Sequence, residues 1–298
     1  MFFFIGKLRL SSAAMLFRRS DGVLVADVSP MRRMMPYILR SRNESCVYFE
    51  QKLNLQNTLP YLQRVNEHLG DGDAPEVTLF HLLLAAAARV FSQRPELNRF
   101  VSGGNIYQRR HIEFSFAIKK ERSDKGALTT TKLRFSGQET VEAVAQKTRS
   151  AVLAGRSSRI NQADREMSVL TRFPGPLLRT VMWIQRTLDS WNLLPRVLTE
   201  NDPLYASLFL ANLGSIGLDS AYHHLFEYGN VSFFAVLGQI AALPFVDESK
   251  QSVRLSPGVV IKWTFDERIT DGWYCARSLE LLKNYIEEPI SLLGTGVE

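Results

Sequence analysis

Four charged residues and a glycine lie close together near the end of the chain, in the segment Asp266-Glu267-Arg268-Ile269-Thr270-Asp271-Gly272. A glutamate could remove a proton from a substrate there if burial in an apolar channel raised its pKa by several units. With ordinary pKa values glutamate lies about two units below histidine and is a weaker base by roughly 3 kcal/mol. Asp271 has a structural alternative, because aspartate is a preferred helix N-cap and Asp-Gly is a common turn.

The histidines are further candidates for a base. His224, next to His223, could bring an imidazole to a channel, although a surface or packing role is more usual. His81 and His111 fall in a helix and at the start of a strand, which favours structural roles. No histidine pair has a third ligand at metal-binding spacing, so the sequence predicts no metal site.

Composition limits the classes of function. The chain has 298 residues, of which 45% are apolar and 22% charged, and this predicts a globular protein with a large core. The formal net charge of +6 favours anionic partners, but basic residues are spread along the sequence and a nucleic-acid surface is not indicated. Cys46 and Cys275 are far apart, which predicts no disulfide and a cytoplasmic protein.

The order of predicted elements favours an α+β fold. Helices are expected to begin at Pro30, Thr58, Thr78, Thr140 and Asp271, from capping residues and apolar spacing. Strands are predicted by alternation and by β-branched or aromatic content. Their ranges are 46–53, 112–118, 128–135, 205–211, 231–241 and 253–265.

A strongly apolar stretch between Pro174 and Pro195 is predicted to form a helix, with Arg179 and Arg186 among its polar positions. The first interpretation is a helix of the core or of a subunit contact. The alternative is a helix that lies on a membrane surface. Membrane association therefore stays open but is not favoured.

Four motifs in order resemble the catalytic domain of 2-oxo acid dehydrogenase acyltransferases, the dihydrolipoamide acyltransferases, which share part of their signature with chloramphenicol acetyltransferase. The first is Trp263-Thr264-Phe265-Asp266-Glu267-Arg268-Ile269-Thr270-Asp271-Gly272, similar to a strand that ends in His-x-x-x-Asp-Gly. The second is Asn212-Leu213-Gly214-Ser215-Ile216-Gly217, and the others are Pro95-Glu96-Leu97-Asn98 and the basic helix start Met31-Arg32-Arg33. The resemblance, with the helix that follows the first motif, spans roughly residues 29–289.

The resemblance implies a fold and a site. The fold is a chloramphenicol acetyltransferase-like two-layer mixed β-sheet with packed helices, assembled as a homotrimer whose active sites lie between subunits. Glu267 occupies the position of the family's catalytic histidine. Asp271 would pair with an arginine, Arg268, to hold the loop and the base, and Gly272 completes the signature.

The same resemblance places the oxyanion region at Ala211, Asn212 and Gly214, with Ala211 where the family has a serine. Coenzyme A or acyl-coenzyme A would be a substrate, together with a small acyl acceptor, and neither a metal nor a covalent lipoyl group is expected.

The predicted layout is an N-terminal extension at residues 1–28, a catalytic core at 29–290 and a tail at 291–298, without a lipoyl domain. The expected function is thioester-dependent acyl transfer. The alternative is a catalytically impaired trimeric scaffold or acyl-coenzyme A-binding relative, because both Glu267 and Ala211 differ from the family's residues.

Overall fold

A seven-stranded mixed sheet forms the centre of the protein in a computed structural model, and a three-stranded sheet lies beside it. The structure describes residues 19–70, 74–119, 128–156, 171–247 and 250–290. The strands are β1 Gly22–Leu24, β2 Cys46–Asn54, β3 Arg99–Ser102, β4 Asn105–Arg109, β5 Ile112–Lys119, β6 Leu128–Phe135, β7 Leu208–Asn212, β8 Phe233–Leu237, β9 Ala241–Asp247 and β10 Ser252–Asp266. The helices are α1 Pro30–Ile38, α2 Thr58–Leu69, α3 Leu79–Gln93, α4 Val141–Arg156, α5 Gly175–Ser190, α6 Arg196–Glu200 and α7 Gly272–Glu287.

The large sheet has the order β2-β10-β8-β7-β5-β6. Strand β7 runs parallel to β5 and β8, and the other pairs are antiparallel, so the predicted mixed sheet is confirmed. The first half of β10 pairs with β9 as a hairpin, and its second half pairs with β2 and β8 in the sheet. This long strand ends at Asp266 and therefore delivers the next residue, Glu267, to the end of the sheet.

Alternate side chains of β10 are buried in the core and anchor the end of this strand. Ile261, Trp263 and Phe265 belong to the main core on the helical face, because successive strand residues point to opposite faces. On that face α3 is apolar nearly all round and buried along most of its length, and Thr78 and His81 form a capping box at its start. Helix α7 also contributes buried side chains to this core.

The opposite face of the sheet has a smaller apolar cluster. It contains Phe209, Phe234 and Val236 from the strands, together with Leu225 and Val231 from the connecting segment. The two-layer α+β architecture is thus confirmed, with helices on one face and an extended segment on the other.

The small sheet has the order β1-β4-β3 and was not predicted. Gly103 and Gly104 both have positive φ angles and join β3 to β4 as a two-residue hairpin turn, which is where the sequence indicates a turn. Strand β1 pairs with β4, so residues before 29 take part in the fold, while the domain boundaries stay a prediction.

Some predicted boundaries are wrong. The single strand expected over 231–241 is interrupted after Leu237, and β9 begins at Ala241. Helix α4 ends at Arg156, the last described residue before residue 171.

Helix α5 forms within the predicted stretch but has no buried residue, so a core role is wrong for the single chain. Contact with another subunit or with a lipid surface stays a prediction. No helix within the described ranges is long and apolar enough to cross a membrane.

Candidate active site

Arg32 of α1 fixes the turn that contains Glu267. Its guanidinium donates hydrogen bonds to the backbone oxygens of Glu267 and Thr270, the latter at 2.9 Å. The Glu267 backbone N–H donates to Ser45 O at 3.0 Å. Contacts from two other segments therefore hold the backbone of residue 267 in one place. The basic helix start is visible in the sequence, but its contact with residue 267 is not.

The side chain of Glu267 is half-buried and adjoins a cavity of about 190 Å³. Lining residues come from α1 and from the turn before α7: Ser29, Met31, Arg32, Met35, Thr270, Asp271 and Gly272. Within the described part of the chain, the Glu267 carboxylate makes no hydrogen bond and no ion pair. It is therefore available to accept a proton from a molecule in this cavity.

A buried ion pair flanks Glu267. Arg268 donates from Nε and Nη2 to the two carboxylate oxygens of Asp266, at 2.8 and 2.7 Å, and from Nη1 to Leu39 O. The Asp266 side chain is fully buried. Burial lowers the pKa of Arg268, but the hydrogen bond and charge of Asp266 outweigh this and raise it overall. Glu267 thus lies between two residues that are held rigidly.

This pair corrects one expectation. Arg268 pairs with Asp266 and not with Asp271, because the Asp271 carboxylate is used as a helix cap. Asp271 accepts a hydrogen bond from the Tyr274 backbone N–H at 2.7 Å and is the N-cap of α7. The structural alternative for Asp271 is confirmed.

Replacing Asp271 by alanine is expected to lower the free energy of unfolding by about 1 kcal/mol, because the first turn of α7 loses its cap. Asp271→Asn should stay close to the wild type, since asparagine caps equally well. Chemical denaturation of the three proteins provides the measurement. Equal losses in the alanine and asparagine variants would show that the carboxylate charge, and not capping, is what matters.

The Asn-Leu-Gly segment forms a tight turn at the end of β7. Leu213 N–H donates to Leu237 O at 2.9 Å, and Asn212 Oδ1 accepts from Ser215 N–H at 3.1 Å. Ala211 is the preceding residue of the strand and packs against the smaller apolar cluster. Gly214 lies against the backbone of Gly238, so the Asn-Leu-Gly turn is in direct contact with the segment that follows β8.

A Gly214→Ala substitution is expected to destabilise the protein by about 1–3 kcal/mol, because its Cβ would lie 2.4 Å from Gly238 O. Gly272→Ala is the matched control, since nothing lies within 4 Å of a Cβ there. Thermal melting compares the two variants. A Gly214→Ala protein with the same melting temperature as the wild type would contradict the close approach of the two backbones.

The histidines pack by their rings. The His223 ring lies 4.0 Å from that of Phe234 at an interplanar angle of 9°, and it also stacks on His224. The Thr264 hydroxyl donates to the His223 carbonyl, and His224 Nδ1 contacts Leu225 O at 3.0 Å. These contacts give both residues a packing role, and His224 as an alternative base stays a prediction.

The two halves of the expected site lie far apart in one chain. Ala211 pairs with Val236, and Val236 pairs with Lys262, five positions before Glu267. Five strand residues and two strand spacings place Ala211 and Glu267 roughly 19 Å apart. One thioester cannot contact both from the same chain.

In the described ranges, no group of three or more acidic, histidine or cysteine residues could hold a metal ion.

Comparison with known proteins identifies the family and the fold. A family model described as 2-oxoacid dehydrogenases acyltransferase (catalytic domain) matches residues 23–171 and 196–294. A probable dihydrolipoamide acetyltransferase from Listeria monocytogenes has a TM-score of 0.61 and 14% identity, over 92% of this chain and 98% of that chain. No match was found among curated proteins.

A dihydrolipoamide acetyltransferase from Azotobacter vinelandii is similar with a TM-score of 0.59 and 15% identity, over 90% of this chain and 94% of that chain. In that protein, the catalytic roles of a serine, a histidine and an asparagine four residues after the histidine have been investigated. A chloramphenicol acetyltransferase has a TM-score of 0.52 and 12% identity, over 89% of this chain and 99% of that chain.

The architecture is therefore that of a chloramphenicol acetyltransferase-like acyltransferase core. The chain belongs to the family of 2-oxoacid dehydrogenase acyltransferase catalytic domains, because the family model matches most of its length. The resemblance and the fold class are confirmed. The exchange of the family's histidine for Glu267 stays a prediction.

Proposed function

We propose that the protein is a coenzyme A thioester-dependent acyltransferase in which Glu267 is the general base. The observation that carries the proposal is the unpaired carboxylate of Glu267 beside a cavity, on a turn held by Arg32 and by the Asp266–Arg268 pair. The same spacing of four residues separates Glu267 from Asp271 and the histidine from the asparagine of the Azotobacter protein.

The proposed reaction is acyl exchange between two thiols, or a thiol and another small acceptor. Glu267 takes the proton of the acceptor as its heteroatom attacks the thioester carbonyl. The tetrahedral intermediate then expels the leaving thiolate, which recovers the proton from Glu267. Atoms and charge balance without a metal or an oxidant. The acyl group and the acceptor remain those of a small-molecule thioester and its partner thiol, amine or alcohol.

Ala211 limits the proposed rate. It has no hydroxyl to donate to the oxyanion, and losing one such donor costs roughly 3 kcal/mol of transition-state stabilisation. Asn212 and Gly214 shape the turn next to it, and both are retained from the family pattern. The proposed enzyme is thus slower than a member of the family with serine at this position.

A homotrimer with its sites between subunits is part of the proposal. It is supported by the roughly 19 Å that separate Ala211 from Glu267 in one chain. Large apolar side chains are exposed around the Asn-Leu-Gly turn and on the β9–β10 hairpin, as expected of a subunit contact. They are Ile216, Leu218, Tyr222, Ile240, Val246, Val253 and Leu255. Two free cysteines support the cytoplasm as its setting.

A second candidate is a scaffold or acyl-coenzyme A-binding protein without turnover. It is favoured by the presence of Ala211 and Glu267 at the two positions where the resemblance predicts the serine and the histidine of the family. Incubation with several acyl-coenzyme A species separates the two candidates. Release of free thiol above the uncatalysed rate supports the enzyme, whereas saturable coenzyme A binding without thiol release supports the scaffold.

A further inference from the structure

A larger cavity, of about 260 Å³, lies between the end of α1, the β3–β4 turn and the C-terminal half of α5. Its charged lining residues are Arg40, Arg42, Arg186, Arg268, Asp189 and Glu227. Arg268 adjoins the cavity from the turn that also contains Glu267. The cavity therefore neighbours the candidate active site but is lined by a different set of residues.

Both acidic residues of this cavity already have partners. Asp189 accepts a salt bridge from Arg19 at 2.7 Å, and Glu227 accepts hydrogen bonds from the backbone and side chain of Asn43 at 3.0 and 2.9 Å. Arg268 is paired with Asp266, whereas Asn43 is neutral and leaves the negative charge of Glu227 in place. Across the described residues no carboxylate forms an ion pair with the three remaining cations, and these three positive charges against the one negative charge of Glu227 leave the cavity with a positive surplus. These cations are Arg40, Arg42 and Arg186.

Arg42 is the innermost of the three and is buried. Its guanidinium donates only to two backbone carbonyls, Val231 O at 3.1 Å and Val101 O at 3.4 Å. Burial lowers the pKa of Arg42, against the opposing charge of Asp266. No carboxylate bonds directly to this buried guanidinium within the described residues, and an anion in the cavity would offset part of the cost of burying its charge.

The outer wall of the cavity is rigid. Gln185 Nε2 donates to the Tyr228 hydroxyl at 2.6 Å, Asn192 Nδ2 donates to the Tyr107 hydroxyl at 2.9 Å, and Asp189 is bound to Arg19. The carbonyl of Ser190 approaches the β3–β4 turn so closely that only glycine fits at residue 103. These contacts fix the C-terminal half of α5 and with it Arg186.

Part of this wall lies outside the family match. The match to the family model omits residues 172–195, which include Arg186, Asp189 and Ser190. Arg186 therefore belongs to the part of the chain that the family model does not match, whereas Arg40 and Arg42 belong to the matched part. We propose that the cavity is a binding site for a phosphate group, either free or part of coenzyme A, held by Arg40, Arg42 and Arg186.

Guanidinium groups suit this ligand because their planar fork of donors matches phosphate oxygens in bidentate pairs. Two of the five N–H groups of Arg42 bond to carbonyls, which leaves others for an anion. A cavity of about 260 Å³ exceeds the roughly 30 Å³ that a water molecule occupies in the liquid several-fold, which is room for a phosphate group. The free-phosphate source is independent of acyl transfer, whereas the coenzyme A source rests on the proposed function.

Isothermal titration of the purified full chain with inorganic phosphate, at constant ionic strength, tests the site. The wild type should bind phosphate saturably, and Arg186→Ala and Arg40→Ala should each weaken binding about tenfold, as expected for loss of a charge-assisted hydrogen bond. Arg179→Ala is the matched control, because Arg179 is also exposed on α5 but does not line the cavity. Its affinity should equal that of the wild type.

Parallel titrations with coenzyme A and with pantetheine, which has no phosphate, identify the source. If Arg186→Ala weakens coenzyme A but not pantetheine, the phosphate belongs to coenzyme A; if it weakens inorganic phosphate alone, the ligand is a free phosphate. Absence of saturable phosphate binding by the wild type, or an equal loss in Arg179→Ala, would overturn the proposal. Thiol release is measured separately, so phosphate binding without turnover would overturn only the proposed function.

Discussion

Glu267→Gln is expected to lower the rate of thiol release from acyl-coenzyme A by about a hundredfold or more, since a positioned general base contributes about 10²–10⁴-fold. Glutamine has nearly the same shape but cannot accept the thiol proton. The change should appear in kcat with little effect on KM, because the lost interaction belongs to the transition state. Steady-state thiol release with a chromogenic thiol reagent provides the measurement.

Two variants make this result specific. Glu280→Gln removes an exposed carboxylate on α7 and should keep wild-type activity. Glu267→His introduces the base that the resemblance predicts for the family at this position. If the cavity accepts an imidazole, its activity should exceed that of Glu267→Gln by at least the factor that glutamine loses. Activity of Glu267→Gln equal to that of the wild type would remove Glu267 from the mechanism.

Asp266→Ala is expected to lower the free energy of unfolding by about 3–5 kcal/mol, because it leaves the buried guanidinium of Arg268 without its partner. Both side chains are nearly inaccessible to water, at 0% and 5% exposure. Removing one partner of a buried ion pair destabilises a protein far more than replacing both partners by apolar residues. The turn at Glu267 should loosen at the same time, so acyl transfer should fall together with stability.

The comparison for this variant is Glu280→Ala, which breaks the exposed pair between Arg277 and Glu280. Exposed pairs contribute less than about 1 kcal/mol, so this protein should unfold close to the wild type. Urea denaturation followed by circular dichroism measures both. If Asp266→Ala and Glu280→Ala are equally stable, the buried pair does not hold the turn.

Local patterns explain which parts of the fold were predictable. Strand β10 shows alternation over several residues, α3 shows a long apolar run with a cap at Thr78, and Asp271 begins α7 by side-chain capping that its own sequence provides. Such signals depend on neighbours within a few positions. The resemblance to acyltransferases rests on the same kind of short motif, and the family match bears it out.

The rest of the site depends on contacts between distant segments. Arg32 reaches the turn of Glu267 across 235 positions, and no pattern near either residue indicates that contact. The small sheet was missed because β1 and β3 are short, with three and four residues, and take their stability from pairing with β4. The expected arginine partner of Asp271 was wrong because Asp266, only two residues from Arg268, satisfies that guanidinium first.

The arginine-lined cavity also depends on contacts between distant segments and not on a local sequence pattern. Arg186 was recognised as a polar position on an apolar helix, but its position beside Arg40 and Arg42 follows from the packing of α1, α5 and the β3–β4 turn. Helix α5 is a helix as predicted, and of its two expected roles, core or subunit contact, only the core role is wrong for the single chain. Its apolar spacing resembles that of a buried helix, and the sequence does not indicate what covers it.

The central claim is that the base of one chain acts at the Ala211 turn of another. Mixing two variants tests it most directly: Glu267→Gln, which lacks the base, and Ala211→Phe, which fills the turn. Each variant alone is first shown to melt at the same temperature as the wild type. The two are then unfolded together in equal amounts, refolded and assayed for thiol release. In randomly mixed trimers about one quarter of the sites combine an intact Glu267 with an intact turn, so about a quarter of wild-type activity is predicted. A mixture as inactive as the two separate variants would contradict a site shared between subunits.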